Sequence, residues 1–217
     1  MWRAAWTVAR KDWRCEWRTR ASLNAIGLFS LAAPVALGFM LAQQRLPPEA
    51  LGALLWVVLF FAAMVGLPRA FVKEEESGTA ELLRLHFEPE AVLWGKTLVQ
   101  LGLLVLTQLG SVPVFVLLLG AKVASPGLLA LTVALGDIGM ALASSLLGAM
   151  AAQTRSRGTL FAAVAAPIML PMLVCAASAS GVAFGAHDSA TSAIEALAAF
   201  DAALLGAAWM LWEFVWS

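Results

Sequence analysis

The sequence has few charged residues, few cysteines and few histidines. Asp, Glu, Lys and Arg make up 13% of its 217 residues, about half the share in a typical soluble domain. Cys15 and Cys175 lie far apart and form no CxxC, zinc or haem-attachment pattern, so we interpret them as inert thiols. His86 and His187 are the only histidines and belong to no HExxH motif. No metal site is therefore expected.

The sequence also lacks the motif of a nucleotide-binding protein. GxxxxGK[ST] is absent, and Gly95-Lys96-Thr97 has no glycine-rich lead before it, so the chain is not expected to bind ATP by itself. It has no extended Lys/Arg tract suited to nucleic acid either. We predict a protein that is not an enzyme, with no catalytic residue and no tightly bound cofactor of its own.

Apolar residues are abundant and are grouped into long runs. They make up 61% of the chain, and the mean hydropathy is +0.85. Each of six runs comes close to the length of about 20 residues that a helix needs to cross a bilayer. The fold class predicted is all-α, a polytopic membrane protein whose six spans lie near residues 22–42, 50–67, 97–119, 128–152, 158–183 and 193–216. The acidic residues of the sixth run leave open a surface helix at its start.

The basic residues are distributed unevenly between the loops. The first twenty residues contain six Lys and Arg, the segment 69–96 contains four, and 153–158 contains two. Arg45 and Lys122 are the only basic residues in the other loops. Because cytoplasmic loops carry the excess of Lys and Arg, we predict a cytoplasmic N-terminus and outer loops at 43–49, 120–127 and 184–192.

The first twenty residues have the pattern of an amphipathic helix. At 100° per residue, four tryptophans fall within an arc of roughly 60° and five basic residues lie on the adjoining flank. Tryptophan and arginine both suit the headgroup region. We predict a helix in the plane of the membrane surface, with its interfacial residues at Trp2, Trp6, Arg10, Trp13, Arg14 and Trp17. The same pattern also suits a helix that packs on a soluble partner.

The polar segment 69–96 separates the second apolar run from the third. Thr79 is a suitable helix N-cap, and the charge of Glu81 suits the first turn of a helix. Leucines follow, and Pro89 is expected to end the helix. We predict a short helix that presents its leucines to a partner; the alternative is a solvated loop.

One acidic residue falls in the middle of an apolar run. Asp137 stands among small residues of the fourth run, and an acid inside a membrane is a functional candidate. We interpret it as a polar contact between helices or with a second copy of the chain. Asp201 is a second such acid, and His187 lies in an outer loop.

Two stretches resemble known transporters. The segment from Glu76 to Lys96 carries E-x-G-T-x-E, a pair of leucines, a proline and G-K, and it resembles the coupling helix of type 2 ABC exporter permeases. The opening ARKDWRCEWRTRASLNAIGLFS and the stretch APIMLPMLV resemble the haem exporter B (CcmB) family of cytochrome c maturation. The resemblance covers nearly the whole chain, residues 1–217, as a single ABC-2-type transmembrane domain, with an interface helix at 1–20 and a coupling loop at 69–96.

This resemblance implies a permease in the bacterial inner membrane that pairs with itself and with an ATPase subunit (CcmA-like). It also implies CcmC-like and CcmD-like partners and a haem chaperone (CcmE-like), with ATP bound by the partner. ATP hydrolysis would then drive either the export of haem, as the possible cargo, or the release of the haem-loaded chaperone. The contact with the ATPase is assigned to Glu76, Gly78, Thr79, Glu81, Leu82, Leu83, Leu85 and Pro89. A permease for a lipid or a drug, and a membrane scaffold that transports nothing, remain alternatives.

The predicted orientation is tested with an impermeant thiol reagent on intact cells, in a background without the two native cysteines. Lys122→Cys should react, because its loop faces outward, whereas Arg155→Cys should react only after the membrane is permeabilised. The reverse pattern would contradict the orientation.

Overall fold

A computed structural model describes residues 1–41, 44–67, 78–152 and 157–216. Within these ranges the chain forms eight helices and no strand. In chain order they are α1 (Trp2–Thr19), α2 (Ala21–Leu41), α3 (Pro48–Gly66), α4 (Thr79–His86), α5 (Pro89–Leu118), α6 (Pro126–Ala152), α7 (Arg157–Ala183) and α8 (Thr191–Trp216).

Six of these helices, α2, α3 and α5 to α8, are long and apolar enough to cross a membrane. The all-α, six-span architecture expected from the apolar runs is thereby confirmed. The sixth span is one continuous helix, so no separate surface helix precedes it.

Two boundary predictions around α4 were wrong. Gly78, not Thr79, is the N-cap of α4, and its φ of 67° lies in the left-handed region that glycine tolerates best. The helix ends at His86, whereas Pro89 occupies the first turn of α5. A proline suits that position because its missing N–H would have no partner there. The third span therefore begins eight residues earlier than the apolar run at 97 suggested.

The spans pack as a bundle around small residues. α3 lies mainly against α7, α6 lies against α7 and α8, and α2 lies against α3 and α5. Gly136 of α6 leaves space for the ring of Trp56 in α3, and the Nε1 of Trp56 donates a hydrogen bond to Ser180 Oγ of α7 at 2.8 Å. Small residues let helix backbones approach closely, which is how membrane helices gain packing energy.

Helix α1 lies along the first half of α5, and two glycines of α5 make this close approach possible. A Cβ at Gly95 would lie 2.8 Å from the carbonyl oxygen of Ala5 and 2.8 Å from Val8 Cβ. A Cβ at Gly102 would lie 2.9 Å from the ring of Trp13. The two glycines are seven residues apart and so lie on one face of α5.

A valine substitution tests the close approach of α1 to α5. Gly95→Val should push α1 away from α5 and destabilise the fold by about 1–3 kcal/mol, the usual cost of overpacking. Gly110→Val is the matched control in the same helix, because a Cβ added at Gly110 would meet no other atom within 4 Å. The measurement is the reaction rate of a cysteine placed at the buried Ala5. Equal rates in the two variants would contradict the close approach.

Candidate functional site

Helix α1 has three distinct faces. Ala5, Val8 and Ala9 are buried against the bundle. Trp2 and Trp6 remain 66% exposed, and Trp13 and Trp17 are exposed as well. The basic residues occupy the remaining side. Two of these tryptophans also touch α5, since Trp13 lies against Gly102 and the ring of Trp2 lies 6.0 Å from that of Trp94. The exposed parts of the four rings remain available to the surroundings of the protein.

A buried ion pair joins α1 to α5. Lys96 Nζ lies 3.0 Å from Asp12 Oδ2, and Lys96 is only 1% exposed. Lys11 lies 3.0 Å from the other carboxylate oxygen of Asp12. Because a buried charge is costly without a partner, Lys96 makes the position of Asp12, and therefore of α1, specific.

Glu16 links the end of α1 to the start of α2. Its Oε1 accepts hydrogen bonds from the backbone N–H groups of Ser22, at 2.7 Å, and Leu23, at 2.9 Å. A carboxylate at a helix N-terminus satisfies N–H groups that have no partner within the helix and suits the helix dipole. Arg20, in the left-handed conformation with φ 52°, makes the turn between the two helices. The C-terminal end of α1 is therefore fixed to the start of α2.

Helix α4 is anchored by one leucine and exposes another. Leu83 is 5% exposed and belongs to a buried cluster with Val8 of α1, Leu93 of α5 and Trp212 of α8. Leu85, two residues later, is 79% exposed. The sequence analysis expected all the leucines of α4 to face a partner. Leu83 instead packs against its own chain and holds α4 there.

The other residues assigned to the partner contact lie around this anchor. Glu81 is exposed and Thr79 is half-buried, both in the first turn of α4. Gly78 makes the turn before the helix, and Pro89 lies in α5. Glu76 lies outside the described residues, as does the side chain of Leu82.

The end of α8 is fixed to the start of α5. The Nε1 of Trp212 donates a hydrogen bond to the carbonyl oxygen of Pro89 at 2.5 Å. Trp209, one turn earlier, donates to Glu90 Oε1 at 3.4 Å. Helices α1, α4, α5 and α8 therefore meet at one end of the bundle, which we call the α4 end.

Deeper in the bundle, polar side chains of α5 and α6 face each other. Gln108 Nε2 donates to Asp137 Oδ1 at 2.7 Å. Nearer the α4 end, Gln100 Oε1 accepts hydrogen bonds from Ser144, at 2.6 Å, and Ser145, at 2.9 Å. Asp137 therefore makes an interhelical contact within one chain. Asp201 of α8 lies beside Gly139 of α6, where an added Cβ would be 2.5 Å from its Oδ1.

The sequence analysis did not predict that Gln108 is the partner of Asp137, although the sequence of α5 contains a signal for it. Thr97, Gln100, Gln108 and Ser111 recur at intervals of three, eight and three residues in α5, so they lie on one helical face. All four are buried. A polar row within an apolar run indicates a face turned toward other helices rather than toward lipid.

The described residues contain no group of three or more His, Cys, Asp and Glu side chains placed to hold a metal ion. His86 and His187 are both exposed. They lie at the end of α4 and in the loop before α8, respectively.

The family model described as "CcmB protein" matches residues 3–210. This chain belongs to the CcmB family. A curated relative, heme exporter protein B of Bradyrhizobium diazoefficiens, is 26% identical over 175 residues, which cover 80% of this chain and 79% of the relative. The residues matched by the family model, 3–210, include α1 except Trp2, α4, and all six spans except the end of α8. The family resemblance drawn from the sequence is confirmed.

Proposed function

We propose that this chain is the permease subunit of an ABC-type haem exporter of cytochrome c maturation, in the bacterial inner membrane. The name of the relative supports the haem class. In this proposal the N-terminus and the α4 end face the cytoplasm, as the distribution of Lys and Arg suggests. ATP is hydrolysed by a partner subunit, and the energy reaches the permease through α4.

The observation that carries the proposal is the arrangement of α4. A helix of eight residues is marginally stable alone, yet here it is fixed at one end of a six-span bundle by Leu83. It presents Leu85 and Glu81 outward. A short helix that is held rigidly and exposes a large apolar side chain is suited to insertion into a groove of another protein.

Each residue of the segment then has a distinct role. Leu85 fills an apolar groove of the ATPase, and Glu81 and Thr79 supply polar contacts at its rim. Leu83 transmits movement of α4 to the bundle, because it belongs to one buried cluster with residues of α1, α5 and α8. Gly78 sets the direction in which α4 leaves the preceding segment, and Pro89 begins the span that receives the movement.

The proposal includes further partners. Two copies of the chain pair in the complex, with a CcmA-like ATPase, CcmC-like and CcmD-like subunits and a CcmE-like haem chaperone. Either haem is the cargo that the permease exports, or ATP hydrolysis releases the chaperone with haem bound to it. Helix α1 lies at the membrane surface, with its tryptophans at the depth of the headgroups.

Capture of the ATPase by tagged permease tests α4. Leu85→Asp should reduce capture at least about tenfold, because burial of one leucine contributes about 1.5–3 kcal/mol. The thermal unfolding midpoint should not change, because Leu85 makes little contact within its own chain. Leu83→Asp should lower both capture and the unfolding midpoint.

Ala124→Asp is the matched control, since it makes a similar change at an exposed residue in the loop before α6. It should affect neither readout. Normal capture by Leu85→Asp, with the captured protein identified as the ATPase, would show that α4 is not the coupling element.

A further inference from the structure

Two cavities adjoin on the outer side of α1. One is an open, shallow basic cleft of about 650 Å³ on the exposed side of α1. All the residues that line it belong to that helix, among them Arg10, Lys11, Arg14 and Arg18. The other is an apolar notch of about 280 Å³ between α1 and α5. Its walls are Ala9, Trp13, Leu98 and Val99, together with residues that it shares with the cleft.

The two cavities share two residues, Trp6 and Arg10, which line both. A molecule that filled both would need an anionic group in the cleft and an apolar chain in the notch. Arg10 would lie at the junction, because it lines both cavities. A side chain with an aliphatic stem and a charged head suits such a position.

The charge of the cleft is largely uncompensated within the part of the chain that is described. No carboxylate there pairs with Arg10, Arg14 or Arg18. The two acids of α1, Asp12 and Glu16, have other partners, which are lysines in one case and backbone N–H groups of α2 in the other. Arginine binds phosphate oxygens in a bidentate geometry and suits such a site better than a point charge does.

The notch opens where lipid is expected. Leu98 of α5 is 39% exposed on a membrane-spanning helix, and Trp13 lies against Gly102 one turn farther along the same helix. The wall of the notch thus continues into the apolar surface of the span. A soluble anion would fill the cleft but would have nothing to place in the notch. The exposure of Leu98 on a membrane-spanning helix favours an acyl chain over a side chain of a soluble protein.

We propose that α1 and α5 form a binding site for one anionic phospholipid, with its phosphate between Arg10 and Arg14 and an acyl chain in the notch. The site rests on the proposed position of α1 at the membrane surface. At the membrane surface, the anionic lipids of a cytoplasmic leaflet attract basic segments of a protein. The lipid fills the space between α1 and the span, and so fixes the outer side of a helix whose inner side is held by Asp12 and Lys96.

Native mass spectrometry of the full chain, purified in detergent, tests the site with phosphatidylglycerol, phosphatidylcholine and inorganic phosphate in separate arms. The unmodified chain should retain one phosphatidylglycerol in preference to phosphatidylcholine. Arg10→Gln combined with Arg14→Gln should reduce this preference on the order of tenfold. Arg3→Gln combined with Arg45→Gln removes the same charge outside both cavities and should leave the preference unchanged.

Leu98→Trp separates the two halves of the site, since it fills the notch and leaves the basic residues in place. Leu98→Trp should weaken the retention of both lipids. At a site for a free anion, the same change would have no effect. Equal retention of the two lipids by the unmodified chain would overturn the proposal, as would release of phosphatidylglycerol by inorganic phosphate. Retention unaffected by the Arg10 and Arg14 changes would overturn it as well.

The position of α1 is measured separately, by how strongly lipids brominated near the headgroup quench the fluorescence of its tryptophans. Quenching without lipid preference would reject the phospholipid site and leave the proposed function standing. Absence of quenching would count against the membrane-surface position of α1, on which the phospholipid site depends, and would leave the role proposed for α4 standing.

Discussion

The buried ion pair between Asp12 and Lys96 is the interaction on which the α4 end of the bundle depends. Lys96 is almost fully buried in the second turn of α5, where an unpaired ammonium would be costly. Asp12 meets it only when α1 lies close against α5, and Gly95 permits that approach. The apolar contacts of Ala5 and Val8 favour association in general, whereas the ion pair selects one position along the helix.

The position of α1 in turn determines how well α4 is packed against the bundle. Val8 belongs to the same buried cluster as Leu83, with side chains from α5, α6 and α8. If α1 shifted, one side of this cluster would open, and the only buried leucine described in α4 would lose part of its packing. Helix α1 and the proposed coupling helix α4 therefore share one packing cluster at the α4 end of the bundle.

The sequence was sufficient to predict the parts of the fold that depend on a single helix. Apolar length gave the six spans, because the bilayer sets that length independently of the neighbours. The angular positions of Trp6 and Arg10 gave two of the three faces of α1. The third face was not predicted, since Ala5, Val8 and Asp12 show no contrast that marks them as the side buried against α5.

Contacts between helices were the part that the sequence did not reveal. Leu83 and Leu85 have the same chemistry in a helix of eight residues, and only the neighbours decide which of them is buried. Gln108 and Asp137 are 29 residues apart in the chain, so their pairing depends on how α5 and α6 align. Gly95 and Lys96 were noticed as part of a family pattern, but their physical roles became clear only beside α1.

A double-mutant cycle on Asp12 and Lys96 tests most directly whether this ion pair holds the α4 end together. Asp12→Asn should reduce the free energy of unfolding by about 3 kcal/mol, since the buried Lys96 then loses the carboxylate of Asp12. Lys96→Met should cost less, because Lys11 remains beside Asp12. Asp12→Asn with Lys96→Met should be more stable than Asp12→Asn alone. Free energies of unfolding within about 0.5 kcal/mol of the unmodified chain in both single variants would contradict the account.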